Sequence, residues 1–143
     1  MERSYAERYQ DLYDRHWWWR ARERYVLRWV RKIAHGRRLR MLDVGCGNGF
    51  IWNRLKEHGD VEGIEADTEL VPSDSPFRPR IELSHFPGRP RIERYDLLLM
   101  LDVLEHIEDD RGAVRAIADL LTPGGHVILT VPRSCCCGAS STT

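Results

Sequence analysis

The sequence predicts an α/β fold in which a helical leader precedes a doubly wound, mostly parallel sheet. Short apolar segments alternate along the chain with helical or irregular segments, which is the pattern of strands joined by crossovers. A glycine-rich segment follows the first apolar segment, and Tyr95 to Leu101 is a continuous apolar run typical of a strand covered on both faces. Because crossovers between parallel strands are right-handed, few topologies remain.

The length and charge of the chain limit its organisation and its partners. Its 143 residues provide one hydrophobic core, so we expect a leader over residues 1–36, a core over residues 37–132 and a disordered tail over residues 133–143. Lysine plus arginine and aspartate plus glutamate total 22 each, which argues against a nucleic-acid or membrane-surface partner. No apolar run approaches the roughly 20 residues that cross a bilayer, and the expected location is the cytoplasm.

The leader has the pattern of an amphipathic helix. The spacings of three or four among Trp18, Arg22, Tyr25, Trp29 and Ile33, with Val26 and Val30 beside them, predict one or two helices over residues 5–35. The cluster Trp17 to Trp19 has two interpretations: it caps a bound aromatic group, or it is a helix face docked on the core. The arginines of the leader either bind an anionic acceptor or form a solvated face, and we favour the solvated face.

The central part of the chain predicts a βαβ unit. Arg40 to Val44 forms the first strand, Gly47 to His58 a helix that Gly59 ends, and Val61 to Glu65 the second strand. Five of the seven prolines lie between residues 67 and 94, which forbids a long helix and leaves room for a brief strand over Ile81 to Phe86.

Two further elements complete the predicted sheet. After the fourth strand, Tyr95 to Leu101, Asp109 or Asp110 caps a helix that Thr122 to Gly125 ends. His126 to Val131 is the fifth strand.

The segment Asp43 to Gly49 is the strongest indication of a ligand site. It lies where a strand turns into a helix, and open α/β sheets bind ligands beyond such strand ends. Gly45 and Gly47 allow a sharp turn and close backbone approach to a ligand. The carboxylate of Asp43 is available to a ligand's ammonium group or to neighbouring amides, while Cys46 fills space.

Glu65 follows Asp43 by twenty-two positions and is predicted to end the second strand. A carboxylate at that place accepts hydrogen bonds from both hydroxyls of an adenosine ribose. A dinucleotide fingerprint would require a small residue at position 50, where this chain has Phe50. Pyrophosphate binding is therefore disfavoured, and a tight structural turn remains the simpler alternative.

Four segments in order resemble the class I S-adenosylmethionine-dependent methyltransferases, which have a Rossmann-like fold. They are Leu42 to Gly49, Gly63 to Glu65, Tyr95 to Ile107 with its Val-Leu-Glu-His sequence, and Leu121 to Gly125. The small-molecule group that includes the ubiquinone-biosynthesis O-methyltransferases is the most similar. The resemblance implies S-adenosylmethionine as cofactor and strand order 3-2-1-4-5, and His16 to Arg22 is similar to a helix that packs over the cofactor in bacterial relatives.

The resemblance also implies roles for individual residues. Its cofactor-binding set is the loop from Asp43 to Gly49, Glu65 for the ribose, and Leu101 or Asp102 from the fourth strand. The loop residues in that set are Asp43, Gly45, Cys46, Gly47 and Gly49. Family members continue after Pro132 with two more strands that build much of the acceptor pocket. From residue 133 this sequence has no apolar period, and we expect a truncated or frameshifted product.

Methyl transfer requires alignment and, for a hydroxyl acceptor, proton removal. His106 has a suitable type of side chain and Glu105 is adjacent, although both also fit a structural role. Asp102, Glu105 and His106 would share a helical face and form a metal site, but the pattern is common by chance and we predict no metal. The adjacent Cys135, Cys136 and Cys137 are interpreted as non-functional.

Three functional hypotheses follow from these features. The first is a methyltransferase acting on a small-molecule acceptor through oxygen, carbon or nitrogen. The second is a catalytically inactive cofactor-binding fragment or partner subunit, and the third an NAD-type nucleotide-binding domain. A fifth strand without further neighbours is an exposed apolar edge, so a homodimer through that strand is an additional expectation.

Overall fold

The computed structural model describes residues 16–92 and 94–131. These residues form a five-stranded parallel sheet with helices on both faces. In chain order the elements are α1 (Trp17–Ala34), β1 (Leu39–Val44), α2 (Trp52–Leu55), β2 (Gly59–Glu65), β3 (Ile81–Leu83), β4 (Tyr95–Leu101), α3 (Asp110–Leu120) and β5 (Leu121–Thr130). The order β3-β2-β1-β4-β5 confirms the predicted fold class and topology.

The leader forms a helix as predicted, but the aromatic stripe is not its buried face. The residues of α1 that contact the core are Val26, Leu27, Val30 and Ala34. Trp18, Tyr25 and Trp29 are exposed. The aliphatic side chains of α1 therefore pack on the sheet, while the larger aromatic rings remain in contact with water. The rest of the predicted leader helix, before residue 16, lies outside the described residues.

The helix predicted over Gly47 to His58 is much shorter than expected. Positive φ angles at Gly45, Gly47 and Gly49 make the backbone non-helical up to residue 49, and α2 spans only Trp52–Leu55. Gly59 does not end a helix but begins β2. A Cβ atom there would lie 1.9 Å from the backbone oxygen of Leu39, so only glycine allows the two strands to pair this closely.

The proline-rich segment contains no α-helix, in agreement with the prediction. It forms short 3-10 turns at Thr68–Leu70 and Arg78–Arg80. The third strand is Ile81–Leu83 rather than Ile81 to Phe86, because its partner β2 ends at Glu65 and offers only three paired positions.

The last helix and strand meet earlier than predicted. Asp109 caps α3 by accepting a hydrogen bond from the amide of Gly112 at 2.8 Å. β5 then begins at Leu121 rather than His126. The predicted stop from Thr122 to Gly125 is an irregularity within this strand, because Leu121 pairs with Tyr95 and His126 pairs with Leu97.

The sheet has a hydrophobic cluster on each face. The α1 side contains Trp52, Leu97 and Leu99, and the α3 side contains Leu98 and Met100. β4 contributes to both clusters, as its continuous apolar sequence predicts. This rigid sheet fixes the carboxyl ends of β1, β2 and β4 at a single edge.

Candidate cofactor-binding site

A cavity of about 410 Å³ lies at the carboxyl ends of the strands, beneath the N-terminal part of α1. The structure brings eight of the ten predicted site residues to its wall, and these are Asp43, Gly45, Cys46, Gly47, Glu65, Leu101, Asp102 and His106. Gly49 and Glu105 do not line it. Gly49 instead has a φ angle of +80°, and a Cβ atom there would lie 2.9 Å from the ring of Phe77 and 3.1 Å from that of Trp52. Both its backbone and its neighbours therefore favour glycine.

The glycine loop has the backbone geometry that its sequence predicts. Gly45 and Gly47 have φ angles of +70° and +54°, in the region that disfavours side chains. A Cβ atom on Gly45 would approach Cγ2 of Val103 to 2.3 Å, whereas one on Gly47 would make only ordinary contact with Phe50. Gly45 is therefore constrained by both its backbone and its surroundings, while Gly47 is constrained by its backbone alone.

Glu65 ties the glycine loop to β2. Its buried carboxylate accepts a hydrogen bond from the amide of Gly47 at 2.8 Å and another from the amide of Asp67 at 2.9 Å. An ionised carboxylate has about four acceptor positions. Two of those of Glu65 are used by the amides, so two are left for hydrogen bonds from a ligand. Glu65 thus stabilises the loop and can also accept hydrogen bonds from vicinal hydroxyls.

Asp43 lies at the base of the cavity and is buried. Its carboxylate accepts a hydrogen bond of 2.8 Å from the indole Nε1 of Trp52, so its partner is this side chain rather than the neighbouring amides. Burial raises the pKa of Asp43 to about 7, although the bond from Trp52 opposes that shift. The charge of Glu65 also raises this pKa and that of Arg22 lowers it. Asp43 can therefore change its protonation state near neutral pH.

Arg22 lines the cavity, although the sequence analysis did not include it among the candidate site residues. It was assigned to a solvated face, yet its side chain is only 13% exposed and lines the cavity. Its guanidinium forms an ion pair with Asp102 and stacks on the ring of Trp19 at 4.3 Å from the centroid. The indication in the sequence was its spacing of four from the buried Val26, which places both on one side of α1.

Three aromatic side chains, Trp19, Phe50 and Phe86, line the cavity. Trp19 lines it, while Trp17 and Trp18 are 73% and 55% exposed. The three tryptophans therefore do not act as one face. Phe50, which argued against a dinucleotide, also lines the cavity.

The residues after β4 do not form an α-helix, so Asp102, Glu105 and His106 do not share a helical face. Leu104–His106 form a 3-10 turn, and the side chain of His106 is 78% exposed at the cavity rim. His106 Nε2 lies 4.0 Å from Glu105 Oε1. Over residues 16–92 and 94–131, no group of three or more His, Cys, Asp or Glu side chains is arranged to hold a metal ion.

The comparisons with known proteins agree with this geometry. A family model described as a methyltransferase domain matches residues 18–141, which is most of the chain. The chain belongs to this methyltransferase domain family. The match includes the glycine loop, Glu65 and the whole sheet.

Relatives of this methyltransferase domain include the ubiquinone biosynthesis O-methyltransferase of Photorhabdus laumondii. It is 30% identical over 100 residues, which are 64% of this chain and 42% of that protein. The methyltransferase domain described here thus spans less than half the length of the curated relatives it matches.

Solved structures share the fold. DesVI of Streptomyces venezuelae superimposes with a TM-score of 0.72 at 21% identity, covering 92% of this chain and 58% of that one. An S-adenosylmethionine-bound amino pentose methyltransferase from Micromonospora echinaspora has a TM-score of 0.68 at 24% identity, covering 92% of this chain and 58% of that one.

The described part of the methyltransferase domain contains no helix of the length and apolarity needed to span a membrane.

Proposed function

We propose that this chain binds S-adenosylmethionine and transfers its methyl group to an oxygen, carbon or nitrogen atom of a small-molecule acceptor. The observation that carries the proposal is the distribution of charge along one cavity. The carboxylates of Asp43, Glu65 and Asp102, the guanidinium of Arg22 and the glycine loop all line this cavity. Membership of the family and the names of the relatives support the same activity.

The residues fit the nucleoside part of this cofactor. Glu65 keeps acceptor capacity beyond its two amide bonds, which suits the two ribose hydroxyls. Charge-assisted bonds of this type contribute about 1.5 to 3 kcal/mol each. Glu65 is therefore expected to matter to affinity as well as to the shape of the loop.

The residues also fit the amino-acid part. The carboxylate of Asp43 at the cavity base suits an ammonium group. Arg22 is the one arginine among the described residues that line the cavity, and no lysine lines it. A guanidinium binds a carboxylate through parallel N–H donors, so Arg22 suits the carboxylate at the same end.

When bound, S-adenosylmethionine supplies an electrophilic methyl group on a sulfonium. The chain's own contribution is alignment, which accelerates a displacement by holding the reacting atoms in line. Trp19, Phe50 and Leu101 give part of the cavity wall an apolar surface. We propose that Nε2 of His106, at the rim, accepts a proton from a hydroxyl acceptor. Glu105, 4.0 Å away, would stabilise the resulting imidazolium.

The experiment that tests the proposed function is calorimetric titration with S-adenosylhomocysteine. Wild-type protein should bind, and Glu65→Ala should weaken binding about tenfold or more, equivalent to about 1.4 kcal/mol. Glu65→Gln is the matched control, since it keeps the size of the side chain and one acceptor oxygen, and it should lose less. Folded wild-type protein that does not bind the ligand would contradict the proposal.

A second candidate is a chain that binds the cofactor without transferring its methyl group. The observation that favours it is the exposure of the proposed base, because the side chain of His106 is 78% exposed. Methyl transfer to any small-molecule acceptor, measured by the formation of S-adenosylhomocysteine, would exclude this candidate.

We also propose that two copies of the chain associate through β5. This strand is at the edge of the sheet and exposes Val127 and Leu129.

We propose that the chain is divided into a leader over residues 1–36 and a core over residues 37–132. We also propose a cytoplasmic location, which suits the buried free thiol of Cys46. The tail, with its three cysteines, lies outside the described residues.

A further inference from the structure

Asp102 joins three parts of the fold at the wall of the cavity. It follows β4 directly, and its amide donates to the backbone oxygen of Thr130 at 2.9 Å. One carboxylate oxygen, Oδ1, accepts the hydroxyl proton of Thr130 at 2.8 Å. The other, Oδ2, pairs with Nη1 of Arg22. The last residue of β5 and a residue of α1 are therefore held by one side chain.

The backbone of Asp102 has an uncommon conformation. Its φ angle is +57°, a left-handed conformation that non-glycine residues rarely adopt. Such conformations persist where the surrounding structure imposes them, and they cluster at functional sites. Here the two hydrogen bonds with Thr130 fix both the backbone and the carboxylate of Asp102.

The consequence reaches the cavity through Arg22. Its guanidinium stacks on Trp19 at 4.3 Å and acts electrostatically on Asp43, whose pKa it lowers. A long arginine side chain has several rotamers, and an ion pair with an oriented carboxylate selects among them. The direction of Arg22 at the amino-acid end therefore depends on how Asp102 is oriented.

We propose that Thr130 is a positioning residue for cofactor binding. Its hydroxyl orients Asp102, and Asp102 holds Arg22 where the guanidinium binds the carboxylate of the cofactor's amino-acid part. This inference rests on the proposed function. Thr130 does not line the cavity and acts through the side chains of Asp102 and Arg22. Since Arg22 binds the amino-acid part, the inference concerns that end of the ligand only.

The test compares two ligands that differ in the amino-acid part. S-adenosylhomocysteine carries the carboxylate, and 5′-methylthioadenosine lacks it but keeps the nucleoside. Thr130→Val removes the hydroxyl and preserves the β-branched shape that suits a strand. By calorimetry, this variant should bind S-adenosylhomocysteine about fivefold more weakly and 5′-methylthioadenosine equally well. Thr130→Ser, which restores a hydroxyl, should recover most of the loss.

A double-mutant cycle tests whether the effect passes through Arg22. In an Arg22→Gln background, Thr130→Val should cause no further loss of S-adenosylhomocysteine affinity. An equal loss for both ligands would mean a general structural role and would overturn the inference, and so would unchanged affinity of Thr130→Val for S-adenosylhomocysteine. Wild-type protein that binds neither ligand would overturn the proposed function and this inference together.

Discussion

The buried carboxyl of Asp43 predicts that ligand binding depends on pH. Its carboxyl is buried, and burial raises its pKa from 3.8 to about 7. Between these two values the folded protein binds a proton that the unfolded chain has released, so the contribution of Asp43 to stability falls as pH rises through this range. Near pH 7 the ligand-free protein therefore contains a mixture of neutral and ionised Asp43.

We expect the affinity for S-adenosylhomocysteine to increase with pH. Only ionised Asp43 attracts the ligand's ammonium, so the apparent affinity follows the ionised fraction and should rise about 25-fold from roughly pH 5.5 to 7.5. Binding should also release a proton, which titrations in two buffers of different ionisation enthalpy detect. Asp43→Asn retains an acceptor for Nε1 of Trp52 and should remove most of the pH dependence. A wild-type affinity that is constant over this range would contradict the assignment.

The two glycines of the loop should respond differently to substitution. Gly47→Ala adds a Cβ in ordinary contact with Phe50, so its cost is the positive φ angle, about 1 to 2 kcal/mol. Gly45→Ala adds the same strain and also a 2.3 Å clash with Val103, a stiff β-branched side chain. Gly45→Ala should therefore lower the free energy of unfolding by about 1 to 3 kcal/mol more than Gly47→Ala does.

Urea denaturation of the two variants measures this difference. Adding Val103→Ala to Gly45→Ala removes the clashing methyl group and should recover part of the loss, beyond what Val103→Ala costs alone. Equal losses in the two glycine variants would show that φ, rather than contact with Val103, limits both positions.

At the scale of single elements, the sequence predicts strands better than their connections. β4 was predicted with its observed bounds because a continuous apolar run is a local property. The helix after the glycine loop was overestimated, since the pattern did not reveal that Gly49 turns the chain against Trp52 and Phe77. That contact is tertiary, and sequence periodicity does not contain it.

The connection before β5 was misjudged for a related reason. Thr122 to Gly125 have the composition of a turn, yet they lie within a strand of ten residues. The ladder with β4 accommodates them as an irregularity between Tyr95 and Leu97. Composition identifies residues that interrupt regular pairing, but it does not reveal whether the strand resumes on the same partner.

At the scale of the whole molecule, topology assembled most of the site without further information. Parallel strands direct their carboxyl ends to one edge, which is why eight of the ten predicted residues line one cavity. Arg22 was missed because its role depends on where α1 crosses that edge. The approach of a helix to a sheet is set by three-dimensional packing. The place of Arg22 in the helical pattern of α1 therefore did not reveal that its side chain would line a cavity.

The exposed edge of the sheet should govern self-association. Val127 and Leu129 pair in parallel register with Leu98 and Met100, which are buried on the α3 side. Parallel partners face the same side of a sheet, so the sheet continues here without cover: Val127 is 43% and Leu129 39% exposed. Within residues 16–92 and 94–131, β5 pairs with β4 alone, and an apolar edge strand favours pairing with a second copy.

We expect sedimentation velocity at about 100 µM to show a concentration-dependent dimer. Val127→Lys places a charge on the edge and should shift the protein to the monomer, because charged side chains oppose strand pairing. Val114→Lys is the matched control, since Val114 lies on α3, is 53% exposed and is apolar as well. If both variants weaken the dimer equally, general hydrophobicity rather than the β5 edge drives association. A wild-type chain that is monomeric at this concentration would contradict the proposed homodimer. It would not affect the proposed cofactor binding, because the cavity is formed by one copy of the chain.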